Sequence, residues 1–144
     1  AWPGKIEAGS KTDHISVFWD FMATAGEIAN VDIPENTDGV SYLPTLLNNG
    51  NQEDREYLYW EFPEYQGQQA IRMGDWKGIR KEIKKGNMTL ELYNLKDDPA
   101  EQNDIASAHP DIIKKMEDIM VKEHTSATLD RFKMTQLGDV MTGN

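Results

Sequence analysis

The stretch that most constrains this chain is Glu56–Leu95, EYLYWEFPEYQGQQAIRMGDWKGIRKEIKKGNMTLELYNL. Its β-branched and aromatic residues fall into short runs at Tyr57–Phe62, Gln69–Met73, Trp76–Ile83 and Thr89–Leu95, each predicted to be a strand. Period-two alternation puts Leu58, Trp60 and Phe62 on one face of the first strand and Tyr57, Tyr59 and Glu61 on the other. Gly74-Asp75 suits a two-residue hairpin loop, and Lys84-Lys85-Gly86-Asn87 offers a glycine to a longer one. The first connection, Pro63–Gln68, is longer and polar, and so the most available for chemistry. Such a run of hairpins is an antiparallel meander, and one of its faces has to be covered.

The cover is found downstream. Ile112, Ile113, Met116, Ile119 and Met120 recur at helical spacing, with Asp111, Lys114, Lys115, Asp118 and Lys122 on the opposite side. Pro110 at the first helical position sets the start, so a helix is predicted over Pro110–Glu123. Upstream, Phe18, Phe21, Met22, Ala25, Ile28 and Ala29 predict a helix over Val17–Asn30, with Ser16 as N-cap and Gly26 marking a close contact or an early end. Thr12–Ser16 reads as a short extended piece, Ser41–Leu47 as a helical turn and Gln102–Ala108 as a short helix. Residues 125–144 carry little pattern and suit either an ordered arm or a frayed tail. The fold class expected is α+β, a four-stranded antiparallel sheet with a C-terminal helix packed on it, preceded by a helical segment. The division expected is residues 1–50, residues 51–124 and a tail from 125 to 144.

Charge narrows the partners. The chain has 144 residues, 25 acidic and 15 basic, for a net charge of −10. Nucleic acid and anionic membrane surfaces are poor partners for it, since each phosphate contact needs a Lys or Arg. No apolar run approaches the roughly 20 residues of a membrane span. With 0 cysteines, disulfides, thiolate metal sites and cysteine nucleophiles are excluded within these residues. The N-terminal Trp2-Pro3-Gly4 is turn chemistry with nothing before it and suggests a piece of a longer chain.

Few constellations carry chemistry. His14, His109 and His124 lack metal-ligand spacing, and no glycine-rich phosphate loop is present. Glu61, Glu64, Gln68, Gln69 and Arg72 flank the long first loop. They suit either sugar hydroxyls and an anionic substituent held by Arg72, or an ordinary polar hairpin in which Arg72 bridges Glu61. Residue types alone favour the ordinary hairpin. They likewise favour Trp60 and Trp76 as core aromatics over a sugar-stacking platform.

The wording of several segments goes further. Trp2-Pro3-Gly4-Lys5-Ile6, the helix WDFMATAGEIAN and Asp38-Gly39-Val40-Ser41-Tyr42-Leu43-Pro44 resemble consecutive late segments of the sulfatase (alkaline-phosphatase-like) family. Tyr59-Trp60-Glu61-Phe62 with Gln69-Ala70-Ile71-Arg72-Met73-Gly74-Asp75-Trp76-Lys77 is similar to that family's Trp-Glu…Ala-φ-Arg-x-Gly-x-Trp-Lys hairpin. Glu91-Leu92-Tyr93-Asn94-Leu95 and Asp98-Pro99-Ala100-Glu101-Gln102-Asn103 look like its Glu-Leu-Tyr-Asp-Leu…Asp-Pro-x-Glu-x-x-Asn segment. The resemblance runs in order over about residues 2–123. Ala23 stands where the family usually has proline, and Pro63 stands where many relatives carry a histidine.

The resemblance implies the C-terminal portion of an arylsulfatase-type enzyme. Residues 1–50 would come from the edge of a catalytic α/β domain, and residues 51–124 would form the C-terminal subdomain. Family catalysis rests on formylglycine, made from a Cys- or Ser-x-Pro-x-Arg motif, and on bound calcium. None of the six prolines is preceded two residues earlier by Cys or Ser. The chain is therefore expected to hold no cofactor and to be inactive alone, with calcium and formylglycine in the full-length enzyme. Its expected partners are the N-terminal catalytic domain of the same polypeptide, a sulfated sugar and, through its cut surface, further copies of itself. By position, Glu61, Glu64, Gln68, Gln69 and Arg72 would contact substrate, and family habit implies a periplasmic or secreted protein. The alternative is a free-standing α+β module that binds carbohydrate or protein.

Overall fold

The four predicted strands pair in chain order into one antiparallel sheet, β1 (Leu58–Phe62), β2 (Gln68–Met73), β3 (Trp76–Lys81) and β4 (Glu91–Asn94). The structure is a computed structural model describing residues 1–143, and its contacts divide the chain into a unit of residues 1–55 and a second from Glu56 onward. Met73 pairs with Trp76 across the two-residue loop, where Gly74 has φ +57° and Asp75 does not turn positive. That sign pattern matches the twist of the flanking strands. The third and fourth strands are shorter than predicted. Glu82 turns left-handed at φ +58° and Ile83–Lys85 forms a 3-10 turn, which takes this segment out of the ladder.

Register sorts the sheet into two faces. Tyr59, Glu61, Gln69, Ile71, Gly78, Arg80 and Leu92 share one, while Leu58, Trp60, Phe62, Gln68, Ala70, Arg72, Lys77 and Lys81 share the other. Helix α3 (Pro110–Glu123), with the bounds the sequence predicts, covers the first face. Ile71, Leu92 and Met116 are fully buried, and Met120 and Leu90 join them in the core. Each such side chain contributes about 1.5–3 kcal/mol by leaving water. Gly78 lets the helix approach, since a Cβ there would lie 2.8 Å from Met116 Sδ and 3.0 Å from Ile71 Cγ2. Trp76 packs at the margin of this core, with its ring 4.8 Å from that of His109.

The helix expected over Gln102–Ala108 shrinks to a 3-10 turn at Ala106–Ala108. Ala106 N–H, which a helix from Gln102 would send back to Gln102 O, donates instead to the Asp104 carboxylate at 2.9 Å. The Asp98 carboxylate accepts from the Gln102 and Asn103 N–H groups, each at 2.8 Å, and Leu92 O accepts from Ile105 N at 2.9 Å. Past α3 the described residues form an arm with 3-10 turns at Asp130–Phe132 and Thr135–Leu137. Lys133, Met134 and Asp139 are buried within it. The Lys133 ammonium holds the arm's end by donating to Val140 O at 2.7 Å and pairing with Asp130 at 2.7 Å.

In the first unit, helix α1 spans Asp20–Ala29 and helix α2 spans Leu43–Leu47. Thr12–Ser16 forms no strand. Ser16 does not cap α1, which begins later than predicted because Asp20 organises the entry. Its carboxylate accepts from Val17 N at 2.9 Å and Val40 N at 2.9 Å, and pairs with Arg55 at 2.5 Å. Both helices end in a left-handed asparagine, Asn30 and Asn48, with the paired i→i−5 and i→i−3 closures of a Schellman motif. Gly26 marks a close contact, since a Cβ there would collide with Ile33 Cγ2. Phe18, Phe21, Met22, Ile28 and Val31 remain exposed. Among the described residues, no helix is long and apolar enough to cross a membrane.

Candidate functional site

The loop between β1 and β2 is held in an uncommon conformation. Tyr65, Gln66 and Gly67 have φ of +47°, +69° and +79° in succession. Non-glycine residues pay for that region, and they persist in it where the surroundings leave no alternative. Gly67 N–H donates to Glu64 O at 2.9 Å and closes the turn. Gln66 O and Gly67 O then accept from Lys84 N at 2.8 Å and Ile83 N at 3.1 Å. The arm seals the inner side, because a Cβ on Gly67 would stand 2.7 Å from Met134 Sδ. Glycine is needed here both for its φ and for this approach.

The structure divides the candidate residues among three environments. Glu61 and Gln69 face the helix side and pair directly across β1 and β2. Gln68 and Arg72 lie on the opposite face, and Glu64 sits exposed in the loop. Arg72 stands opposite Leu58, so the cross-strand bridge from Arg72 to Glu61 does not form. Alternation explains this, since residues 61 and 72 occupy opposite faces of the pleat.

Gln69 is 2% exposed, and both ends of its amide are engaged. Its Nε2 donates to Tyr59 Oη at 2.7 Å and Glu61 Oε1 at 2.9 Å, while its Oε1 accepts from Arg80 at 3.0 Å. The Tyr59 hydroxyl also donates to Glu61. Arg80 continues to Met88 O at 2.9 Å and to Glu117 on α3 at 3.1 Å. His124, just past α3, places Nδ1 2.6 Å from Glu61 and Nε2 3.0 Å from Asp139, and Asp139 accepts from Met134 N at 2.6 Å. One polar network thus joins three strands, the helix and the arm.

Its electrostatics follow from burial and pairing. Burial alone would lower the His124 pKa, but the carboxylates of Glu61 and Asp139 outweigh it and hold it above the ordinary value. Burial acts to raise Asp139, yet hydrogen bonds from Met134 N–H, Ser126 and His124 bring it below the usual carboxylate range. Burial and the neighbouring Glu61 push the Tyr59 phenol far up, so it stays a neutral donor.

The second face holds a recess of about 400 Å³ lined by Trp60, Arg72, Lys77, Leu95, Pro99 and Glu101. Lys77 is neutralised there by Glu101 at 2.5 Å. Arg72 Nε donates to Gly74 O at 3.0 Å, which fixes the plane of the guanidinium. Its terminal N–H groups have no protein partner among the described residues and suit a carboxylate or an oxyanion.

Sequence reasoning missed Arg80, His124 and Asp139. His124 and Glu61 are 63 positions apart, and nothing local marks them as partners. The one available signal was Arg80 in an otherwise apolar face of β3, where a buried charge demands a partner. Among the described residues no group of three or more His, Cys, Asp or Glu is arranged to hold a metal ion.

A family model described as N-sulphoglucosamine sulphohydrolase, C-terminal, matches residues 1–135. An N-acetylglucosamine-6-O-sulfatase of Bacteroides thetaiotaomicron is 31% identical over 127 residues, covering 83% of this chain and 22% of that protein. An ulvan-active sulfatase of Formosa agariphila is 29% identical over 179 residues, covering 99% of this chain and 33% of that one. Among solved structures, a protein in complex with its substrate D-glucosamine-2-N,6-O-disulfate superposes with a TM-score of 0.68 at 28% identity, over 83% of this chain and 26% of that chain. The chain therefore spans between about a fifth and a third of the length of these relatives.

Proposed function

Since this chain belongs to the N-sulphoglucosamine sulphohydrolase C-terminal family, and is a C-terminal sulfatase portion, we propose that it supplies the substrate-recognition surface of a sulfuric ester hydrolase acting on sulfated carbohydrate. The observation that carries this reading is the family match over residues 1–135, with relatives named for sugar sulfates. In it, residues 1–50 come from the edge of the catalytic α/β domain, and residues 51–124 form the C-terminal subdomain. The formylglycine nucleophile and the calcium ligands belong to the preceding part of the same polypeptide; the sequence here has 0 cysteines, and among the described residues no group of three or more His, Cys, Asp or Glu is arranged to hold a metal ion. Bound in the full-length enzyme, those groups would supply the nucleophile and the polarisation of the sulfate; this chain binds and orients the sugar. A periplasmic or secreted location goes with that reading.

The candidate residues then divide by task. Arg72 pairs with an anionic substituent, and Glu64 and Gln68 meet sugar hydroxyls. Glu61 and Gln69, occupied in the interior network, act as positioning residues that hold β1 and β2 in register beneath the loop.

The test is made on the parent polypeptide with two substrates. Arg72→Ala should raise KM for a sulfated oligosaccharide by about tenfold, the loss of one charge-assisted hydrogen bond, and leave 4-nitrocatechol sulfate turnover unchanged. Equal effects on both substrates, or none on either, would remove the recognition role. The 144-residue chain alone, given calcium, should hydrolyse no 4-nitrocatechol sulfate, and turnover above blank would refute its inertness. A reading frame with no Cys- or Ser-x-Pro-x-Arg motif upstream of Ala1 would favour the free-standing binding module instead.

A further inference from the structure

The strain in the β1–β2 loop presents a surface that the candidate residues do not account for. Tyr65, left-handed at φ +47°, is 78% exposed, and its ring stacks on that of Phe62, itself 49% exposed, at 5.9 Å between centroids and 28° between planes. A tyrosine in a turn usually gains by folding its ring onto the core. This one is held outward by a loop whose carbonyls are tied to residues 83 and 84 and whose glycine is wedged against Met134. An outlier of this kind, at an exposed aromatic pair, points to a ligand.

The surroundings select its chemistry. Phe62 pairs with Gln68, and Gln68 pairs with Lys81, so aromatic ring, amide and ammonium run in one row across β1, β2 and β3 on the same face. Neighbours in such a row have Cβ atoms about 4.5–5.5 Å apart, close to the width of one pyranose ring. Lys81 is anchored by Glu91 at 2.7 Å but keeps two of its three N–H donors and is half exposed. The Gln68 amide has no side-chain partner among the described residues. An apolar platform beside a neutral hydrogen-bonding group and a cation matches a sugar ring with a C–H face, hydroxyls and one anionic substituent.

We propose that Phe62 and Tyr65, with Gln68 and Lys81, form a subsite for a sulfated pyranose, in which the ring stacks on the aromatic pair and Lys81 receives the sulfate. The sulfated nature of the sugar rests on the functional reading above, whereas the platform rests on the loop geometry. The subsite takes Gln68 from the candidate residues and shares no lining with the Arg72 recess, so it gives the surface a second sugar position.

The experiment measures binding and sulfate release separately. Oligosaccharides of chondroitin 6-sulfate, heparin and κ-carrageenan, each with its desulfated form, are titrated into the isotope-labelled chain, and the amide signals of residues 62–68 and 81 are followed. At least one sulfated oligosaccharide should shift them, and Tyr65→Ala should weaken that binding tenfold or more, while Tyr65→Phe retains it. Lys81→Gln should erase the preference for the sulfated form. Tyr65→Gly gives the decisive split: glycine relieves the left-handed backbone, so its melting temperature should stand above that of Tyr65→Ala, yet it loses binding as fully, which a merely structural tyrosine would not do. Binding equal in wild type and Tyr65→Ala, or no shift with any of the oligosaccharides, would overturn the subsite. Sulfate release by the parent polypeptide is scored independently. Its absence would sink the sulfatase reading and leave the platform standing.

Discussion

Gln69 engages both ends of its amide inside the protein, so a change there leaves other groups stranded. Gln69→Leu removes the acceptor of an Arg80 N–H and the donor to Tyr59 and Glu61. Leaving buried polar groups unpaired costs about 1–3 kcal/mol, and urea unfolding should show a lower midpoint with an unchanged slope. His124 adds a pH dependence. Its folded pKa is raised above the ordinary 6.5, so its contribution is complete below that value and is lost as pH rises through the raised one. Asp139 is lowered from 3.8, so its contribution holds above that value and fades as pH falls through the lowered one. Glu61, Asp139 and, one bond further, Tyr59 and Gln69 face the imidazole. Amide-exchange protection in the arm should therefore hold level between pH 3.8 and pH 6.5 and decline as the pH rises beyond that window. His124→Gln should flatten the alkaline side of that profile. A decline that survives this substitution would place the titrating group elsewhere.

Strands and the covering helix were legible because their causes are local. Alternation, a glycine-first hairpin loop and Pro110 each act within a few residues, and the α3 bounds came out as expected. Element ends were less legible. Asp20 starts α1 through partners at positions 40 and 55, and the Asp104 carboxylate takes the Ala106 N–H that a helix from Gln102 would have used. The arm was beyond sequence reading altogether, since Met134 matters through Gly67 and His124 through Glu61. The five candidate residues around the first loop were legible as a group by position, but their division between two faces needed the register. Gly78→Val tests the helix-sheet contact. Its side chain would meet Met116 and the stiff Ile71 Cγ2, with a cost of about 1–3 kcal/mol from overpacking, measured by thermal unfolding. Stability equal to wild type would mean that α3 does not rest on the sheet at this point.

For the molecule as a whole, the apolar residues left exposed around α1 should set its behaviour in solution. Phe18 is 93% exposed and Phe21 64%, beside Met22, Ile28 and Val31. In the proposed parent enzyme, the preceding domain would cover them. In the chain alone the same patch should drive association. Sedimentation should show mass rising with concentration, and Phe18→Glu combined with Phe21→Glu should return a monomer. A strictly monomeric wild-type chain at high concentration would contradict this. The order of elements also has a consequence for the ribosome. The sheet pairs neighbour to neighbour and can form as soon as Leu95 emerges, but the side chains that cover Ile71 and Leu92 are carried by Met116 and Met120. At ~5–20 residues per second, synthesis from Leu95 to Met120 takes about 1–5 s. For that interval a nascent sheet would show its oily side to water, until the helix that covers it leaves the exit tunnel.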